Sequence, residues 1–147
     1  MLPNQFIRRL SAAVRTHLPA LAEPLHIQPH GQLMKIWYGA DGTVHYEVWV
    51  HERTQQLELG LHCEADATRN AAWRRLLGFY LLEIKLALGN GVELEDWDKG
   101  WVRLYETHPL YPLDEPRLDE FARRVGTFVG TIQPIYTEIQ QTLRLDK

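Results

Sequence analysis

The chain has 147 residues, of which 45% are hydrophobic and 24% are charged, and its formal net charge is −3 at pH 7. This length fits one domain over residues 1–147, and the charged fraction and the aromatic content exclude a disordered chain. The one cysteine excludes a disulfide framework and a multi-thiolate zinc site and points to the reducing cytoplasm, while the negative charge argues against nucleic acid as a general partner.

The first segment, residues 4–22, has the spacing of an amphipathic helix. Phe6, Leu10 and Val14 recur on one stripe, and Arg8 lies outside it. Polar residues in this segment distinguish it from a signal peptide. No apolar run in the chain is long enough to span a membrane, so we expect no membrane partner. Residues 24–31 read as a connector.

Residues 33–64 change to a period of two, which predicts three strands that each have one apolar face. The connections at residues 40–42 and 53–54 are short enough to set the register between the strands. The predicted apolar pairs include Ile36 with Tyr46.

The same registers define the opposite, polar face of these strands. They place Lys35 opposite Glu47, a favourable cross-strand pair, and they place His45 beside His62. A slip of two residues between the second and third strands would oppose two glutamates, which disfavours that alternative.

Residues 68–89 predict a long helix, with Thr68 as its N-cap and Gly89 at its end. Phe79 and Leu82 widen its apolar stripe to most of the circumference. We therefore expect this helix to be the central, buried element of the fold.

Residues 92–106 return to a period of two around a three-residue loop that ends in glycine. The resulting hairpin pairs Glu95 with Arg103, an ionic match, and Trp97 with Trp101, an aromatic match. It also pairs Glu93 with Tyr105.

A last helix begins after Asp114, which is a good N-cap. Gly126 and Gly130 lie four residues apart and would let this helix approach another backbone closely. Pro134 is expected to kink or restart it. The complete order of helix, three strands, helix, two strands and helix predicts an α+β fold with an antiparallel sheet and helices mainly on one face.

The predicted polar face of the sheet is unusually aromatic. It carries Trp37, Trp49, Trp97, Trp101 and Tyr105. Such a surface marks an interaction site, unless a terminal helix covers it. We interpret the chain as a non-enzymatic protein-binding or adaptor domain, a homodimer or the binder of another protein, with no cofactor. Trp49 and Trp101 would be the anchors. The rim residues that would orient the partner are Glu47, Glu95 and Arg103.

An alternative function centres on the histidines of the same face. His45 and His62 are predicted neighbours, with Glu47 and Glu64 diagonal to them. Two imidazoles and a carboxylate can ligate zinc or non-haem iron, although the spacing matches no metal motif. This alternative is a metal-binding protein or an enzyme. Cys63 is predicted to be a packed core thiol on the apolar face rather than a nucleophile.

Two resemblances add a further interpretation. The residues that carry the first are His45-Tyr46-Glu47, Asn70, Glu83-Ile84, Leu88-Gly89, Leu94-Glu95 and Trp101. Over about residues 45–140 the chain resembles an uncharacterised bacterial domain sometimes found near restriction-modification genes. This resemblance implies an accessory protein of a bacterial defence system and implies no catalytic residue. The element order is also similar to the type III secretion chaperone-like fold, whose members are small, acidic, often dimeric proteins that hold a partner segment.

Overall fold

A computed structural model describes residues 1–145 and shows an α+β fold built on one antiparallel sheet. The expected order of helix, strands, helix, strands and helix is confirmed. The elements are α1 (Pro3–Ala13), a 3-10 turn (Val14–Thr16), β1 (Leu25–His30), β2 (Leu33–Tyr38), β3 (Val44–His51), β4 (Gln56–Cys63), α2 (Ala67–Leu88), β5 (Glu93–Asp96), a 3-10 turn (Asp98–Gly100), β6 (Val102–Pro109) and α3 (Glu115–Leu145).

The six strands form a single sheet in the order β1-β2-β3-β4-β6-β5, and every neighbouring pair is antiparallel. The two predicted groups of strands join where β4 pairs with β6. The predicted registers are confirmed, including Lys35 with Glu47 and Glu95 with Arg103. Because a slip of one residue would exchange the two faces, these registers fix which side chains lie together.

Strand β1 was not predicted, since residues 24–31 read as a connector. It pairs along its length with β2 at the edge of the sheet. Pro29 lies within it, and an edge strand tolerates proline because one row of its backbone groups has no ladder partner. The proline weakened the strand pattern without preventing the pairing.

Each helix buries one stripe of side chains. These stripes and the apolar face of the sheet form one hydrophobic core. The α-helical part of α1 ends at Ala13, earlier than predicted, and passes into the 3-10 turn before Pro19. Asp66, not Thr68, is the N-cap of α2, because its side chain accepts a hydrogen bond from the backbone N–H of Arg69 at 2.8 Å. Among residues 1–145, no helix is both long and apolar enough to cross a bilayer.

The prediction that α2 is buried on all sides is wrong. Trp73, Leu77 and Ile84 are buried, but Phe79, Leu82 and Leu86 are 77%, 72% and 80% exposed. The helix packs against the sheet and α3 on one side and forms the outer surface of the domain on the other. The apolar residues around most of the circumference of α2 therefore do not place this helix at the centre of the core.

Helix α3 begins as predicted, since the Asp114 carboxylate accepts a hydrogen bond from the backbone N–H of Arg117 at 3.0 Å. The helix does not restart at Pro134 but runs through it to Leu145. Close approach is confirmed at Gly126 only, where an added Cβ would lie 2.5 Å from the His17 carbonyl oxygen.

Candidate functional site

The second face of the sheet is left to its own side chains in the described part of the chain, because the buried stripes of the helices join the first face. The five aromatic residues predicted for this face are all half-buried there. The residues are Trp37, Trp49, Trp97, Trp101 and Tyr105. These aromatic rings cover the centre of the second face, and they are not part of the core between the sheet and the helices.

Beneath these aromatic rings lies a cluster of buried ionisable groups on β3 and β4. His45, Glu47, Glu58 and His62 are between 1% and 4% exposed. Buried charges are stable only when they are paired or bound to an ion, so each group in such a cluster must have partners. Glu58 was not among the residues proposed from the sequence, whereas the other three were.

One ring nitrogen of His45 is committed to the backbone. Its Nδ1 lies 2.9 Å from the carbonyl oxygen of Gly42, and because a carbonyl oxygen only accepts, Nδ1 carries the proton and donates. The other nitrogen, Nε2, faces two carboxylates. It lies 3.2 Å from Glu47 Oε1 and 3.6 Å from Glu64 Oε2.

His62 repeats this arrangement from the neighbouring strand. Its Nε2 donates to Glu58 Oε2 at 2.8 Å. Its Nδ1 then faces the same two carboxylates as His45, at 3.4 Å from Glu64 Oε2 and 3.5 Å from Glu47 Oε2. The two imidazole planes are nearly parallel, with centroids 6.0 Å apart.

Glu58 is held in place by a second layer of contacts. Arg103 on β6 donates to Glu58 and, at 2.8 Å, to Glu95. The Arg103 guanidinium is also stacked between two aromatic rings, 3.8 Å from the centroid of Trp97 and 3.9 Å from that of Tyr105. Arg103 therefore orients the carboxylate that orients His62.

The electrostatics of the cluster favour positive charge at its centre. Burial alone would lower the pKa of His62, but its hydrogen bonds with Glu58 and Glu64 and the charge of Glu47 outweigh burial and raise that pKa to about 9. Burial likewise opposes the lowered pKa of Glu64, which results from the His62 hydrogen bond and the charges of His45 and Lys35.

A cleft of about 240 Å³ connects this cluster to solvent. Its lining residues are Leu33, Lys35, Glu47, Trp49, His62, Glu64, Trp97 and Trp101. Three tryptophans thus form its walls, and carboxylates and an imidazole form its floor. Lys35 Nζ lies 3.9 Å from Glu64 Oε1 at one side of this floor.

Two of the predicted aromatic residues lie away from the cleft. Trp37 stacks on His26 with ring centroids 4.8 Å apart, and it lies over Gly42. Tyr105 donates to Glu95 at 2.8 Å. Cys63 is buried in the core on the other face, as predicted, and burial raises the pKa of its thiol to about 12.

His45, Glu47 and Glu64 present ligand atoms that all lie within 4.8 Å of one another. Two ligands that are each about 2.1 Å from a tetrahedral ion are about 3.4 Å apart, which matches the separations of 3.2 and 3.6 Å at His45. A second set, Glu47, Glu58 and His62, meets the same distance limit. There, however, His62 and Glu58 are in direct hydrogen-bond contact, so no ion fits between them.

Glu58 and Gly60 are the contributions that sequence reasoning missed. An added Cβ at Gly60 would lie 2.8 Å from both the Leu104 carbonyl oxygen and Tyr105 Cβ. Glycine at this position therefore lets β4 and β6 pair closely beneath the side chains of the second face. A glycine inside a strand pattern is a sign of such close approach. Glu58 could have been found because it shares the period-two face of His62.

Comparison of the chain with protein-family models, curated proteins and solved structures finds no match. The two resemblances suggested by the sequence therefore stay expectations, and the function must be argued from the geometry of the site.

Proposed function

We propose that the protein binds a divalent transition-metal ion between His45, Glu47 and Glu64, with His62 facing the same two carboxylates from the neighbouring strand. The observation that carries this proposal is the orientation of the two imidazoles. Each ring donates its outer N–H to a protein acceptor and turns its inner nitrogen toward the same two carboxylates.

This orientation favours a cation at the centre. If both rings are neutral, the lone pairs of His45 Nε2 and His62 Nδ1 point at carboxylate oxygens, which is repulsive without a positive charge between them. Two protons or one metal ion could supply that charge. Outer N–H bonds to a carbonyl and a carboxylate are typical of metal-ligating histidines, since they fix the tautomer that leaves the inner nitrogen free.

The kind of ion follows from the donor atoms. Imidazole nitrogen together with carboxylate oxygen suits zinc, iron(II) and manganese(II) better than calcium or magnesium, which prefer oxygen alone. The cleft supplies an entry path, and its aromatic walls leave room for water or a small ligand on the exposed side of the ion.

The experiment is a zinc titration of chelator-treated protein by isothermal calorimetry. The expected result is one ion per chain for the wild type and an affinity at least about tenfold lower for Glu64→Gln. Glu93→Gln is the matched control, because it changes an exposed carboxylate in the same way outside the cluster. If Glu64→Gln and Glu93→Gln bind zinc as the wild type does, or if the wild type binds none, the proposal is wrong.

A second candidate function is the one inferred from the aromatic face, protein binding through Trp49, Trp97 and Trp101. The observation that favours it is that these three rings line one cleft above carboxylates, an environment that attracts a cationic side chain. Acetyl-arginine amide is a suitable probe. Quenching of tryptophan fluorescence that disappears in Trp101→Ala would support this function, and unchanged fluorescence at millimolar probe would contradict it.

A further inference from the structure

Helix α2 carries an apolar stripe on its outer surface. Phe79, Leu82 and Leu86 are spaced by three and four residues, so they lie in one line along the helix. All three are more than 70% exposed, and within residues 1–144 they are the three most exposed large hydrophobic side chains. A contiguous apolar surface of this kind marks an interaction site.

The same line continues toward the N-terminus of α2 through small side chains. A shallow groove lies on the same face of the helix, and its lining residues are Ala67, Thr68, Ala71, Ala72 and Arg75. The helix therefore presents large apolar side chains on its C-terminal half and a depression on its N-terminal half. A second α2 helix running in the opposite direction would match large side chains to the depression.

We propose that the chain forms a homodimer in which α2 packs antiparallel against α2 of a second copy. A two-fold axis midway between positions 79 and 82 places Phe79 against the partner's Leu82. It also places Leu86 in the small-residue groove beside the partner's Arg75. Each contact occurs twice, as a closed two-fold interface requires.

Charge on the flanks favours the antiparallel direction. Arg75 and Glu83 are exposed, and neither makes an ion pair within residues 1–145. In the antiparallel pair, position 75 lies within about one helical turn of the partner's position 83, so opposite charges meet. In a parallel pair, Arg75 would meet the partner's Arg75, and Glu83 would meet the partner's Glu83.

This inference is independent of the metal site. The stripe lies on the helical layer, whereas the His/Glu cluster lies on the other face of the sheet. Either proposal can therefore fail without affecting the other.

The first test is the solution mass by light scattering. We expect twice the chain mass of 17.2 kDa for the wild type and a folded monomer for Leu82→Lys, whose side chain is exposed in the single chain. Tyr111→Lys, which adds the same charge at an exposed residue outside the stripe, should remain dimeric. A monomeric wild type would overturn the proposal. So would a dimer that survives Leu82→Lys and is lost in Trp49→Ala, because its contact would lie on the sheet face.

The second test reads out the direction of the helices. Arg75→Glu and Glu83→Arg should each weaken the dimer by about fivefold, and the double variant should restore it. Mixing the two single variants should produce the heterodimer in preference to either homodimer, since both flanking pairs then become opposite in charge. Loss without restoration would exclude the antiparallel arrangement.

Discussion

Raising the pH should destabilise the metal-free protein through one group, His62. Its pKa is about 9 in the folded chain, against an ordinary value of 6.5. A group whose pKa is raised by folding stabilises the fold fully below its unfolded pKa and loses that contribution as the pH rises through its folded pKa. The difference of about 2.5 pH units corresponds to about 3 kcal/mol, most of it lost between pH 6.5 and pH 9.

Carboxylates on two strands cause this effect. Burial opposes protonation of His62, but Glu58 on β4 and Glu64, which directly follows β4, accept from its ring, and Glu47 on β3 adds negative charge. His45 on β3 also faces these carboxylates, and Arg103 on β6 offsets part of the charge of Glu58. The proton on His62 thus holds together carboxylates that would otherwise repel one another.

The assay is urea denaturation of chelator-treated protein at pH 6, 7.5 and 9. The free energy of unfolding should fall across this range in the wild type, and the fall should be absent in His62→Gln, which keeps a donor of similar size. His26→Gln, at the sheet edge, is the control and should behave as the wild type. Equal pH dependence in wild type and His62→Gln would refute the electrostatic reasoning.

Two further predictions concern α3. Gly126→Ala should lower the free energy of unfolding by about 2 kcal/mol, because the added Cβ meets the His17 backbone. Gly130→Ala, where the added Cβ meets open space, should raise it by about 0.5–1 kcal/mol. Thermal unfolding of both variants measures the two changes, and equal effects would contradict this reasoning. Arg124→Met should cost about 2 kcal/mol, since it removes two charged hydrogen bonds, at 2.7 and 2.8 Å, from the buried Glu106 carboxylate and leaves it with His108. Chemical denaturation at pH 7 measures the cost, and a change below about 1 kcal/mol would show that Glu106 finds other partners.

The strand registers could be predicted because period-two patterning and short turns leave few alternatives. Two registers bring favourable pairs together, as with Glu95 and Arg103, and the third avoids placing two glutamates opposite each other. From the registers alone, His45 and His62 were expected to be neighbours, and they are paired. Their burial could not be predicted in the same way, because it depends on how Trp49 on β3 and the tryptophans of the β5–β6 connection pack over the face.

The position of α2 shows a second limit of sequence patterning. Phe79 and Leu82 read as core residues because hydrophobicity indicates that a side chain avoids water but does not say which surface covers it. Pro134 similarly indicates an interruption, yet α3 runs through it to Leu145. For α2, the outcome depends on which of its sides the sheet and α3 cover, and local sequence does not specify that.

The metal site can be tested most directly by anomalous diffraction from zinc-soaked crystals. The account predicts one strong peak per chain, about 2 Å from His45 Nε2 and from carboxylate oxygens of Glu47 and Glu64. A crystal that holds zinc elsewhere or not at all, with this cluster unchanged, would contradict it and would leave protons as the charge that stabilises the two imidazoles.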